Sequence, residues 1–116
     1  MMDKHFMNIF NIFSHVAEKK FASSLVQQLS KEIPPALMQD RRKVLSVNKI
    51  TRLLERTYQV ASDYQKDHSM GLIKRSIFAN AFKWELKNSG YPDDFVNMAT
   101  EGLVVQLTQS KNKTAA

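Results

Sequence analysis

Basic residues are the most concentrated chemical feature of this sequence. Nine lysines and arginines and three acidic residues lie between positions 41 and 75, whereas residues 1–40 and 76–116 each carry four of both kinds. The whole formal net charge of +6 therefore falls in one segment. Guanidinium and ammonium groups bind carboxylates and phosphates, so this surplus predicts a docking surface for an anionic partner. The predicted binding residues are Arg41, Arg42, Lys43, Lys49, Arg52, Arg56, Lys74 and Arg75.

The basic segment allows three interpretations. It can dock an acidic protein surface, bind DNA or RNA, or form a solvated helix face with a chance imbalance of charge. A helix-turn-helix can be laid on residues 39–53, with Ser46 opening the recognition helix. Asp40 and Val44 stand where that motif usually has a small residue and a glycine, which weakens the match. Nucleic-acid binding through phosphate contacts alone does not require the motif.

Aromatic side chains give the nucleic-acid interpretation little support. Phe78, Phe82 and Trp84 lie on the most apolar predicted helix, so we expect them in the core rather than stacked on bases. Tyr58 and Tyr64 lie near the basic residues and are the better candidates for exposed aromatic rings, although each can equally cap the edge of the core.

Motifs for catalysis or cofactor binding are absent from the sequence. There is no cysteine, and none of the three histidines lies three or four residues from another, as metal ligands on one helix face would. The three glycines are 19 and 12 residues apart, which excludes a P-loop and a dinucleotide-binding loop. Asp93 and Asp94 are adjacent in the first turn of a predicted helix, where carboxylates complement the helix dipole. We therefore predict a non-enzymatic protein with no metal site, no cofactor and no small-molecule substrate.

The elements that must position the basic residues are all predicted to be helices. Apolar side chains recur in steps of three and four from Phe6 to Leu29, and Pro34–Pro35 ends that run. Ser46 is the predicted N-cap of the next long helix, which carries the cations at positions 49, 52 and 56 on one face.

A third long helix is predicted from Leu72 to about Asn88. Its apolar residues cover most of its circumference, which is typical of a central helix buried by more than one neighbour. Gly90 is predicted to take the left-handed position after this helix, with Tyr91 packing back on it.

The last predicted helix begins with the two aspartates at 93 and 94. Gly102 within it predicts a close helix crossing beside Phe95 and Met98, because a mid-helix glycine otherwise only costs stability. Residues 110–116 are small and polar and are predicted to form a disordered tail. No strand-like alternation occurs, so we predict an all-α protein. It forms a single compact domain (residues 1–109) of four to six helices in an orthogonal or irregular bundle.

The N-terminal helix carries more large apolar residues than one neighbouring helix would cover. Phe6, Ile9, Phe10 and Phe13 therefore predict self-association, most simply with a second copy of the chain. The alternative is a helix inserted between two others of the same chain. No secretory signal or membrane-spanning run is evident, so the predicted location is the cytoplasm.

Together these features predict a small helical interaction or regulatory protein. It docks an anionic partner through the basic 41–75 segment and forms a homo-oligomer through its N-terminal helix. A DNA- or RNA-binding regulator that uses the same basic face is the alternative.

Overall fold

In a computed structural model of the chain, the described residues form five helices. The structure describes the backbone of residues 2–39 and 46–115 and the side chains of residues 15–38 and 46–111. The helices are α1 (Met2–Glu32), α2 (Pro35–Gln39), α3 (Val47–Asp67), α4 (Leu72–Asn88) and α5 (Asp93–Ala115). The described backbone contains no strand. The predicted all-α, single-domain bundle is confirmed.

Local sequence signals determine where the central helices begin and end. Ser46 is the N-cap of α3, and its Oγ accepts a hydrogen bond from the Lys49 backbone N–H at 3.2 Å, as predicted. After α4, Gly90 has a φ of +98°, and the Tyr91 N–H donates to the Leu86 carbonyl at 3.3 Å. This is the Schellman arrangement that the sequence predicts.

The end of α3 repeats this arrangement with a serine. Ser69 has a φ of +50°, and the Met70 N–H donates to the Gln65 carbonyl at 2.9 Å. Gly71, two residues later, has an ordinary φ of −80° and precedes α4 as its N-cap. A residue with a Cβ therefore holds the left-handed position here, at a cost that a glycine would not incur.

The helices pack as two parallel pairs. Helix α1 packs most extensively on α4, and the rings of Phe21 and Phe78 stack at 5.3 Å between centroids. Helix α3 packs on α5, where the Gln65 side-chain amide donates to the Leu107 carbonyl at 3.0 Å. The pairs run antiparallel to each other, with α1 beside α3 and α4 beside α5. Consecutive helices α3 and α4 lie across a diagonal, so the bundle is irregular rather than a ring in which each helix packs beside the next.

The core lies between these four helices, and α4 contributes its largest side chains. Phe78 and Phe82 are fully buried, as predicted. Trp84 is 53% exposed, however, and the prediction that it belongs to the core is wrong. Leu72 and Ile73 are also exposed on α4. Neighbours cover α4 on the sides that face α1 and α5, and its outer side remains open.

Helices α3 and α5 approach closely at Gly102. The Tyr58 ring lies across this glycine, and its hydroxyl donates to the Ala99 carbonyl at 2.8 Å. A Cβ at position 102 would stand 2.5 Å from the Tyr58 hydroxyl oxygen. The close crossing that Gly102 predicts is therefore present, although the side chain that fills it is Tyr58. Helix α5 continues as far as Ala115, and the disorder expected of residues 110–116 in solution stays a prediction.

Candidate anion-docking surface

Three of the predicted binding residues lie together on the first half of α3. Lys49, Arg52 and Arg56 are spaced three and four residues apart, which places them on one face of the helix, and all three are exposed. The Ser46 cap fixes the start of the helix, and Leu53 and Leu54 bury its opposite side. We call these three residues the α3 basic face.

One cation of the α3 basic face has an acidic neighbour on α1. Arg56 Nη1 lies 3.5 Å from Glu32 Oε1, and the side chains are 69% and 29% exposed. The Gln28 amide also donates to Glu32 Oε1 at 3.3 Å. Exposed ion pairs contribute about 0–1 kcal/mol, so this contact leaves Arg56 free to exchange Glu32 for a carboxylate of a partner.

The same stripe of α3 becomes acidic in its second half. Asp63 and Asp67 continue the spacing of three and four residues beyond Arg56, and both are exposed. The Gln59 amide donates to Asp63 Oδ1 at 3.1 Å. The stripe therefore carries positive charge near the start of α3 and two carboxylates near its end, with the exposed Lys66 beside them.

The fold separates the remaining predicted cations from this face. Lys74 and Arg75 are in the first turn of α4, beyond the C-terminal end of α3. Arg52 lies fifteen residues before Asp67, which is about 22 Å along the helix axis. Lys74 and Arg75 therefore do not extend the α3 basic face. Arg41, Arg42 and Lys43 lie outside the described residues.

The tyrosines near the basic face are not free to stack on bases, and of the two interpretations of these rings, exposed or capping the edge of the core, the structure supports the second. Tyr64 lies between the rings of Phe21 and His68, each 3.9 Å away between centroids. Burial raises the pKa of Tyr64, and the buried carboxylate of Glu18 raises it further. Tyr58 is half-buried across α5, and burial raises the pKa of its hydroxyl to about 12.

Among the described residues, two surface depressions lie outside the α3 basic face. A polar cleft of about 490 Å³ separates the ends of α3 and α5 and includes Ser62, Lys66 and Gln109. A groove of about 460 Å³ lies between α1 and α4 and includes His15, Lys19 and Trp84. Sequence reasoning missed this groove because it placed Trp84 in the core.

The described residues contain neither a metal-binding cluster nor a membrane-spanning helix. Among the described side chains, no group of three or more histidine or acidic residues is arranged to hold a metal ion. Within the described part of the chain, no helix is both long and apolar enough to cross a bilayer. Comparisons of the chain with protein-family models, curated proteins and solved structures found no match.

Phe21, the phenylalanine of α1 whose side chain is described, and the predicted self-association residues occupy different parts of this helix. The side chains of Phe6, Ile9, Phe10 and Phe13 lie outside the described residues, so their self-association stays a prediction. Phe21 contacts Tyr64 and Phe78 within the bundle.

Proposed function

We propose that this protein is a non-enzymatic interaction module that docks an acidic surface of a partner protein through the α3 basic face. The observation that carries the proposal is the exposure of Lys49, Arg52 and Arg56 on one helix face. Of these three, only Arg56 has an ion-pair partner among the described residues, and in that pair Arg56 is exposed and Glu32 is partly exposed. Carboxylates on a partner can bind the three cations without displacing any buried contact.

The change of charge sign along α3 favours a protein partner over a nucleic acid. A phosphate backbone is negative along its whole length. If a nucleic acid lay along α3, the phosphates beyond Arg56 would face the carboxylates of Asp63 and Asp67. A protein surface can place acidic groups against the first half of the helix and basic groups against the second. Complementary charges in this order would also fix the direction in which the partner binds.

The proposal includes self-association through the N-terminal part of α1, where Phe6, Ile9, Phe10 and Phe13 are the predicted contacts. Self-association would present two α3 basic faces and raise the apparent affinity for a partner with two acidic sites. The cytoplasm remains the predicted compartment.

Fluorescence anisotropy tests the choice of partner. The labelled probes are a peptide with a Glu-rich half and a Lys-rich half, duplex DNA and single-stranded RNA, each titrated with the protein at about 50 and 200 mM salt. We expect the peptide to bind more tightly than either nucleic acid at the higher salt. Tighter nucleic-acid binding with a steep log-linear salt dependence would instead favour the DNA- or RNA-binding alternative.

A pair of charge-matched variants tests the surface. The triple change Lys49→Glu, Arg52→Glu, Arg56→Glu reverses the α3 basic face, whereas Lys66→Glu, Lys83→Glu, Lys111→Glu alters net charge equally at scattered positions. We expect loss of peptide binding only in the first variant, with helix content by circular dichroism unchanged in both. Equal weakening in the two variants would mean that net charge, and not this face, attracts the peptide.

A further inference from the structure

The outer side of α4 carries an apolar stripe that no element of the described fold covers. Ile73 and Trp84 are 74% and 53% exposed. Ile77 and Asn80 lie between them and complete steps of four, three and four residues. This is the spacing by which one helix packs along another.

The stripe borders the groove between α1 and α4. Trp84, Ile77 and Ala81 supply its apolar floor from α4, and His15 and Lys19 close its side from α1. The Lys87 ammonium lies over the Trp84 ring, 5.2 Å from the centroid, and makes a cation–π contact with it at the surface. A large, exposed and oriented aromatic ring next to a concave apolar surface is the usual centre of a protein interface.

Lysines outnumber acidic residues along the rim formed by the groove lining and the flanks of the stripe. Lys19 lies on the α1 side, and Lys74 and Lys87 flank the stripe on α4, whereas Glu85 is the acidic residue of the lining. An approaching helix with acidic flanks would find opposite charges on both sides. A second copy of α4 would instead bring lysines against lysines.

We infer that the α1–α4 groove docks an amphipathic helix of a partner protein whose apolar stripe is flanked by acidic residues. The apolar stripe of the partner covers Ile73, Ile77 and Trp84, and its carboxylates face the lysines of the rim. Asn80 in the centre of the stripe favours a polar residue opposite it, which sets the register of the two helices.

This surface is distinct from the α3 basic face. Arg56 meets α1 at Glu32, whereas the groove meets α1 at His15 and Lys19. Even the nearer of these, Lys19, lies thirteen residues from Glu32, or about 20 Å along the helix. The inference therefore goes beyond the proposed function, and either surface can fail without the other.

The only tryptophan of the chain, Trp84, reports directly on the groove. The probes are two synthetic helical peptides about three heptads long and free of tryptophan, with leucine at the apolar heptad positions. One peptide has glutamate at the flanking positions, and the other has lysine. We expect the glutamate peptide to shift the Trp84 emission to shorter wavelength and to protect it from acrylamide, and the lysine peptide to do neither.

Two exposed apolar positions provide matched variants that keep the reporter. Ile73→Glu places a carboxylate in the stripe, and Val105→Glu makes the same change at an exposed position of α5. We expect Ile73→Glu to weaken binding of the glutamate peptide more than about tenfold, and Val105→Glu to leave it within about twofold. The double change Lys19→Glu, Lys87→Glu should transfer binding to the lysine peptide.

Three results would overturn the inference. One is an unchanged Trp84 emission at saturating peptide. Another is binding that Ile73→Glu and Val105→Glu weaken equally. The last is loss of peptide binding in the double variant Arg52→Glu, Arg56→Glu together with unchanged binding in Ile73→Glu. This result would place the peptide on the α3 basic face and support the proposed function alone.

Discussion

The contact between Gly102 and Tyr58 predicts that Gly102→Ala destabilises the protein when Tyr58 is present and stabilises it when Tyr58 is removed. Gly102 lies inside α5, where replacing glycine by alanine normally stabilises a helix by about 1 kcal/mol. Here the new Cβ would stand 2.5 Å from the Tyr58 hydroxyl oxygen and 2.9 Å from Cζ. The ring must move away, and its hydroxyl then loses the 2.8 Å hydrogen bond to the Ala99 carbonyl.

The expected magnitude follows from these opposing effects. Overpacking costs about 1–3 kcal/mol and the lost hydrogen bond about 1 kcal/mol, against a helix-propensity gain of about 1 kcal/mol. Gly102→Ala should therefore lower the free energy of unfolding by roughly 1–3 kcal/mol. In a Tyr58→Ala background the obstacle is gone, and Gly102→Ala should stabilise the protein by up to about 1 kcal/mol.

Urea denaturation of the four proteins in this double-mutant cycle measures both effects. Asn80→Ala, at an exposed position inside α4, is the control for an unobstructed gain in helix propensity. If Gly102→Ala had the same effect with and without the Tyr58 ring, the close crossing would not limit residue 102, and the argument would be refuted.

Three further predictions concern the loops, the pH dependence and the oligomeric state. Gly90→Ala should lower the free energy of unfolding by about 1 kcal/mol because φ is +98° at this position, whereas Ser69→Gly should raise it by up to about 1 kcal/mol. Thermal denaturation checks both, and a more stable Gly90→Ala or a less stable Ser69→Gly would contradict the corresponding prediction. The folded protein holds the Tyr58 proton that an unfolded chain loses near pH 10. The free energy of unfolding should therefore fall as pH rises from about 10 towards 12, more steeply than in Tyr58→Phe, and parallel curves would argue against this. Phe10→Asp should lower the mass found by sedimentation equilibrium if the N-terminal part of α1 mediates self-association, and an unchanged mass would exclude Phe10 from the contact.

Much of the fold follows from local signals in the sequence. The Ser46 cap and the left-handed Gly90 act within a few residues of themselves, so the chain alone shows where α3 begins and where α4 ends. The sequence predicts the bounds of α4 equally well, because the helical spacing of its apolar residues stops at both ends. Such features depend on backbone chemistry that short stretches of sequence already contain.

The features that the sequence did not predict depend on which helices become neighbours. A helical wheel shows that α4 is apolar on most sides, but it does not show that α1 and α5 cover two of them and leave Trp84 exposed. Gly102 indicates a close approach without identifying Tyr58, which is 44 residues earlier in the chain.

The candidate site was predictable only in part for the same reason. Arg52 and Lys74 belong to one basic segment of the sequence, and the turn after α3 places them at opposite ends of that helix. The left-handed conformation of Ser69 was not predicted, because glycine is the residue that favours this conformation and a serine gives no such signal in the sequence.

The pairing of α1 with α4 determines the order in which this chain can fold. The side chains of Ala22, Val26 and Leu29 are buried, and α1 packs most extensively on a helix that begins about forty residues after α1 ends. During synthesis α1 and α3 are therefore complete before the helix that covers the apolar side of α1 exists. Folding must wait for the C-terminal half of the chain, and the protein should reach its native state more slowly than a bundle of similar length in which each helix packs beside the next.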